Sequence, residues 1–106
     1  MFGRHVTMKL KANSVEELPR IIKNEVLPLL RKQKGLSDEI SFVSPERSLA
    51  VSISLWETKE DAEAYNLTGY PEVLKALSEV LEGTPTVSTF ETVSSTFHKA
   101  AAAKVA

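Results

Sequence analysis

The chain has 106 residues, of which 42% are hydrophobic and 25% charged, a size and balance that fit one globular core and leave no room for two. Thirteen basic residues against fourteen acidic ones give a net charge of -1, which supplies no field for gripping a phosphate backbone and argues against nucleic acid as a partner. With no cysteine and only two histidines, disulfide frameworks, thiolate metal sites and cysteine nucleophiles are excluded, and a histidine-rich metal centre is disfavoured.

No stretch approaches the roughly 18 unbroken apolar residues that span a bilayer. Met1 to His5 lacks the apolar run of a secretory signal, so the expectation is a cytoplasmic protein without a membrane partner. Residues 1–99 read as one domain, and 100–106 (AAAAKVA) as a frayed tail or short helix. From Arg4 to Lys11 (RHVTMKLK), Val6, Met8 and Leu10 alternate with His5, Thr7, Lys9 and Lys11, the period of a half-buried strand. Ser14 and Glu17 have capping-box spacing, so a helix is expected to start there, with Val15, Leu18, Ile22, Val26 and Leu29 on one stripe. Pro28 is expected to kink that helix or end its regular part, and Gly35 to close it. Asp38 to Val43 and Leu49 to Trp56 form a hairpin about the turn residues Ser44 to Ser48. Thr58 caps a second helical region that is expected to break at Asn66-Leu67-Thr68-Gly69. Pro71 then opens a further stretch carrying Val73, Leu74, Leu77, Val80 and Leu81. Thr86 to Phe97 reads as a long closing strand.

The order strand, helix, strand, strand, helix, strand is the α+β ferredoxin-like split βαββαβ arrangement: a four-stranded antiparallel sheet with both helices on one face and the first and third strands central. With Val6, Met8, Leu10, Val51, Ile53 and Leu55 turned to the helices, the opposite face shows His5, Thr7, Lys9, Ala50, Ser52, Ser54 and Trp56. A tryptophan exposed among small residues points to a homodimer packed through the sheet face. The alternative is a polar face left wet.

The strand RHVTMKLK with its capped helix, and above all LWETKEDAEAY from Leu55 to Tyr65, resemble the antibiotic biosynthesis monooxygenase family of the dimeric α/β-barrel superfamily. The resemblance implies a dimer with a pocket between each sheet and its helices. It also implies one of several activities: oxidation of polycyclic phenols without metal or flavin, haem degradation, or action on signalling quinones. Many members have no assigned activity. The haem-degrading branch carries a tryptophan and an iron-ligating histidine on the second helix and an asparagine on the first strand. Alignment on LWETKEDAEAY puts Tyr65 and Ser78 at the first two positions, and RHVTMKLK has no asparagine, which argues against haem. The reading is therefore a cofactor-independent monooxygenase acting on a small aromatic or quinone-like compound. The alternative is a non-catalytic small-ligand-binding or stress-associated dimer, and a third reading is a purely structural subunit.

In cofactor-free chemistry the substrate supplies electrons to oxygen, and the protein removes a phenolic proton and stabilises the anion. His5 is the preferred base because imidazole titrates near neutrality, although its parity also suits an interface residue. His98 follows the closing strand, as a solvated end or as a reach into a partner's pocket. Tyr65, Asn66 and Tyr70 surround the expected helix break and are the candidates for holding substrate oxygens. Trp56, at the strand position that the family fills with tryptophan, is a substrate contact or a packing residue. Lys9, Lys11, the basic run Arg31 to Lys34 and the acids Glu57 to Glu63 are explained by edge protection and helix ends. No metal and no cofactor are expected.

Overall fold

The computed structural model describes residues 1–96; His98, the last residue of the expected closing strand and the segment 100–106 lie outside the described residues. β1 (Phe2–Lys9), β2 (Leu36–Ser44), β3 (Leu49–Trp56) and β4 (Thr86–Glu91) form one sheet in the order β2-β3-β1-β4, every pair antiparallel. The helical segments pack on one face, so the architecture is the α+β ferredoxin-like one, with β1 and β3 central as right-handed crossovers require. Among the described residues no helix is long and apolar enough to cross a membrane.

The first helical segment is divided. α1 (Leu18–Ile21) and α2 (Leu27–Arg31) each carry proline in their first turn, and between them Ile22–Val26 forms a π-helical turn closed by the Leu27 N–H to the Ile22 carbonyl. Proline has no N–H to give the carbonyl four residues back and its ring crowds that carbonyl, so the backbone before Pro28 widens by one residue. Pro19 also explains why the capping box does not form. It requires a first-turn position, so the helix begins at Leu18, and the Ser14 carbonyl instead takes the Glu17 and Leu18 N–H groups in a turn.

α3 (Lys59–Leu77) starts where expected, with the Asp61 N–H donating to Thr58 Oγ1 at 3.0 Å and Glu60 and Asp61 at the positive end of the dipole. It does not break at Asn66 to Gly69 but runs through Pro71 to Leu77. Burial of Ala62, Tyr65, Gly69, Val73 and Leu77 along one face outweighs the hydrogen bond that Pro71 forgoes. Val80 and Leu81 are buried beyond the helix end, Leu81 bridging to Leu10. β4 ends at Glu91, shorter than the expected strand.

Register corrects the assignment of faces on β3. Val6 stands opposite Ser52, Met8 opposite Ala50 and Arg4 opposite Ser54, and directly opposed residues share a face. Ala50, Ser52, Ser54 and Trp56 therefore turn to the helices, with Trp56 wholly buried, while Val51, Ile53 and Leu55 turn away. Alternation along β3 sets its parity but cannot say which set is inside, because small residues beneath a helix and aliphatics on an open face alternate equally well. The open face carries His5, Thr7, Val51, Ile53 and Leu55 in the centre and the exposed Ile40, Phe42 and Phe90 toward its edges.

Gly35, between α2 and β2, has φ +83, and a Cβ there would collide with the Asp61 side chain, whereas Gly83, at φ +78, looks into open space. Gly35→Ala is expected to lower stability by more than the ~1–2 kcal/mol of left-handed backbone strain alone, and Gly83→Ala by about that strain. Urea denaturation of both variants measures the difference.

Candidate functional site

Extending the parity of Val6 and Met8 backwards along β1 puts Arg4 on the helix side, and there it is 3% exposed. A cation so placed needs partners. Arg4 Nη2 donates to Asn66 Oδ1 at 2.6 Å, and its guanidinium carbon lies 4.2 Å from the centre of the Tyr70 ring and 5.1 Å from that of Tyr65. Among the described residues no carboxylate lies within ion-pair distance of it. The charge is thus balanced by ring faces and a neutral amide rather than by an anion.

α3 supplies the aromatic side of the site. Tyr65 stacks on Trp56 with ring centres 4.9 Å apart, and Tyr65 and Tyr70 are tilted at 6.1 Å. Gly69 makes this possible, since a Cβ there would fall 2.7 Å from Tyr65 Cδ1. Trp56 does not reach the cavity. Its indole N–H donates to Ser54 Oγ at 2.9 Å, which fixes the hydroxyl as an acceptor on one side and leaves its proton for another partner. Burial pushes the phenols of Tyr65 and Tyr70 above their ordinary range, with the Arg4 charge pulling the other way in both. Burial holds Arg4 below its ordinary value.

Between the sheet and the helices lies a cavity of about 40 Å³, walled by Arg4, Ser41, Ser52, Ser54, Tyr65 and Tyr70 and roofed by Ile22, Val26, Leu30, Val73 and Leu77. That is room for a few waters. On the other side of Arg4 and Asn66, a groove of about 520 Å³ opens between β4 and α3. Among the described residues no three His, Cys, Asp or Glu side chains converge as a metal site.

Of the residues singled out from sequence, Tyr65, Asn66 and Tyr70 converge on Arg4, and Trp56 supports them from behind. His5 stands on the open face, opposite Ile53 and Ser88, with the sheet between it and the tyrosines. Arg4, Ser41, Ser52 and Ser54 were missed. Arg4 left a signal in its parity with Val6 and Met8, and the serines became legible only once the register of β3 was known.

No family model matches the sequence, and no curated protein matches it. Solved structures do. A Nitrosomonas europaea protein of unknown function aligns with a TM-score of 0.73 at 15% identity over 89% of this chain and 90% of its own. A Bordetella bronchiseptica protein provisionally named an antibiotic biosynthesis monooxygenase aligns at 0.73 and 15% over 87% and 96%. A monooxygenase of Streptomyces coelicolor, solved with the ligand nanaomycin D, aligns at 0.70 and 19% over 84% of each chain. In fold, the chain is an antibiotic biosynthesis monooxygenase-like domain. Identities this low carry the fold and not the chemistry.

The chain's two tyrosines are both raised, so unfolding lets them ionise at their ordinary pKa while the native protein keeps them neutral. Stability is accordingly full below about pH 10 and falls as pH climbs above it. Ultraviolet difference titration should show tyrosinate appearing together with loss of ellipticity, rather than near pH 10 in folded protein.

Proposed function

We propose that the protein is a cofactor-independent monooxygenase of a small phenol or hydroquinone-like compound. One observation carries the reading: a buried guanidinium that touches two ring faces and an amide oxygen, with no carboxylate among the described residues at ion-pair distance, on the wall of a cavity between helices and sheet. A buried cation with no carboxylate at ion-pair distance among the described residues favours a ligand that brings or develops negative charge beside it, and a phenolate does so. Tyr65 and Tyr70 flank that cation and orient the ligand's oxygens, Asn66 holds the guanidinium from the groove side, and the Ser54 hydroxyl adds a donor. In the overall reaction a phenol with a free para position and one O2 give the quinone and one water, so the substrate supplies all the electrons. The cavity has to widen for a ring, and its roof includes Ile22 and Val26 of the π-helical turn, a backbone form often found at functional sites. His5, across the sheet, takes no part in this scheme.

Oxygen consumption with a panel of hydroquinones and naphthols tests the reading. The wild type is expected to consume oxygen with at least one of them, and Arg4→Gln to lower kcat/KM by roughly a hundredfold, the cost of one buried oxyanion donor. Unchanged oxygen with every compound, alongside measurable binding, would make the protein a ligand binder instead.

The same reading includes a homodimer through the open sheet face. Its support is the exposed Ile40, Phe42 and Phe90 on the same face as the half-buried Val51, Ile53 and Leu55, apolar surface of the kind that marks an interface. Sedimentation at micromolar concentration should give a two-chain particle, and Val51→Glu a single chain of unchanged circular dichroism. A wild type that sediments as one chain would refute the dimer.

A further inference from the structure

The wall of the cavity facing Arg4 carries a second polar cluster. Glu39 on β2 stands opposite Ser54, and Ser41 opposite Ser52, all four on the helix side. Ser52 Oγ donates to Glu39 Oε1 at 2.9 Å, Ser41 Oγ donates to the same oxygen, and the two hydroxyl oxygens are 3.1 Å apart. Both hydroxyls line the cavity. Among the described residues Glu39 has no cationic partner within ion-pair distance. The other titratable groups facing this wall are Arg4 from β1 and Tyr65 and Tyr70 from α3, while Lys23 of the π-helical turn shares an outer groove with Ser41. Glu39 also lies close enough to Tyr65 for its charge to raise that phenol further.

We infer that Ser52 and Glu39 form a proton relay that deprotonates a hydroxyl group bound in the cavity, Ser52 touching the ligand and Glu39 acting through it. The inference rests on the proposed phenol site and gives it a base on the helix side of the sheet, across from His5. Ser52 Oγ accepts the ligand's proton while its own passes to the Glu39 carboxylate. One O–H bond breaks and one forms at each transfer, the ligand keeps the electron pair as an oxyanion at Ser52 in the cavity that Arg4 also walls, and no oxidant enters the step. Ser41 holds the receiving carboxylate oxygen in place. Ser52 and Ser54 lie two residues apart on β3, roughly 7 Å, a separation that one aromatic ring can bridge, so the relay favours a ring bearing two oxygens over one bearing a single oxygen.

Binding of 4-nitrophenol, whose anion absorbs in the visible, tests this without turnover. If the proton moves from ligand to Glu39 inside the complex, the anion-to-neutral ratio of bound dye stays within about twofold between about pH 5.5 and 7, because no proton is exchanged with water. In Glu39→Gln the proton must leave to solvent, and the ratio should rise roughly tenfold per pH unit. A wild-type ratio that itself rises tenfold per unit, a dye bound only in its neutral form, or a Glu39→Gln variant as flat as the wild type overturns the relay and leaves the phenol site standing. Failure of the wild type to bind the dye overturns both. The wild-type pH series decides by itself should the variant not fold.

Discussion

Burial of the Arg4 guanidinium under the helices is the constraint around which the interior is arranged. A cation so placed loses most of its hydration, and what compensates here is a pair of ring faces and one amide oxygen, with no carboxylate at ion-pair distance among the described residues. The choice of neighbours follows. Tyrosines at two positions of α3 present their faces because Gly69 lets the first lie close, and Trp56 stacks behind Tyr65 to keep it there. β3 contributes alanine and serines on the same side because larger side chains would fill the space that the guanidinium and rings enclose. A carboxylate partner would satisfy Arg4 permanently; a neutral shell leaves its charge available.

Much of the frame is legible in the sequence. The period-two alternation of Val6, Met8 and Leu10, the turn residues from Ser44 to Ser48 and the Thr58 cap are local signals, and each stands where local physics puts it. The misplacements share a cause. Pro71 and Gly69 read locally as a break, but a continuous apolar face on α3 costs more to give up than one hydrogen bond. The capping box at Ser14 lost to the backbone demand of Pro19. Val51, Ile53 and Leu55 look like core by hydrophobicity, yet it is the register against β1, a long-range property, that turns them outward.

The site was half legible for the same reason. The sequence points to Tyr65, Asn66 and Tyr70 through a helix break that does not form, and they meet at Arg4 because α3 runs on unbroken, with Asn66 and Tyr70 four residues apart on one face. Arg4 itself needed only the β1 alternation followed two residues further back, where a charge on an apolar stripe marks either an error of parity or a site. Glu39 and Ser41 sit on an edge strand whose alternation is ambiguous, and nothing local distinguishes them from solvated residues.

The two faces of the sheet make different demands, and one alternating strand meets both. Toward the helices, β3 offers Ala50, Ser52, Ser54 and Trp56, three small side chains and one large anchor, which together leave a polar-walled space. Away from them it offers Val51, Ile53 and Leu55, a flat aliphatic stripe continuous with Phe42 on β2 and Phe90 on β4. A protein that needed only a core would put the aliphatics inside and the serines in water, which is the arrangement hydrophobicity alone suggests. The inversion has a cost, apolar area left open on one side and hydroxyls and a guanidinium enclosed on the other. That cost is offset if a second copy covers the stripe and a charged ligand uses the interior. The proposed dimer and the proposed chemistry are in this sense one argument, since the residue choice that frees space beneath the helices is the same choice that makes the outer face adhesive.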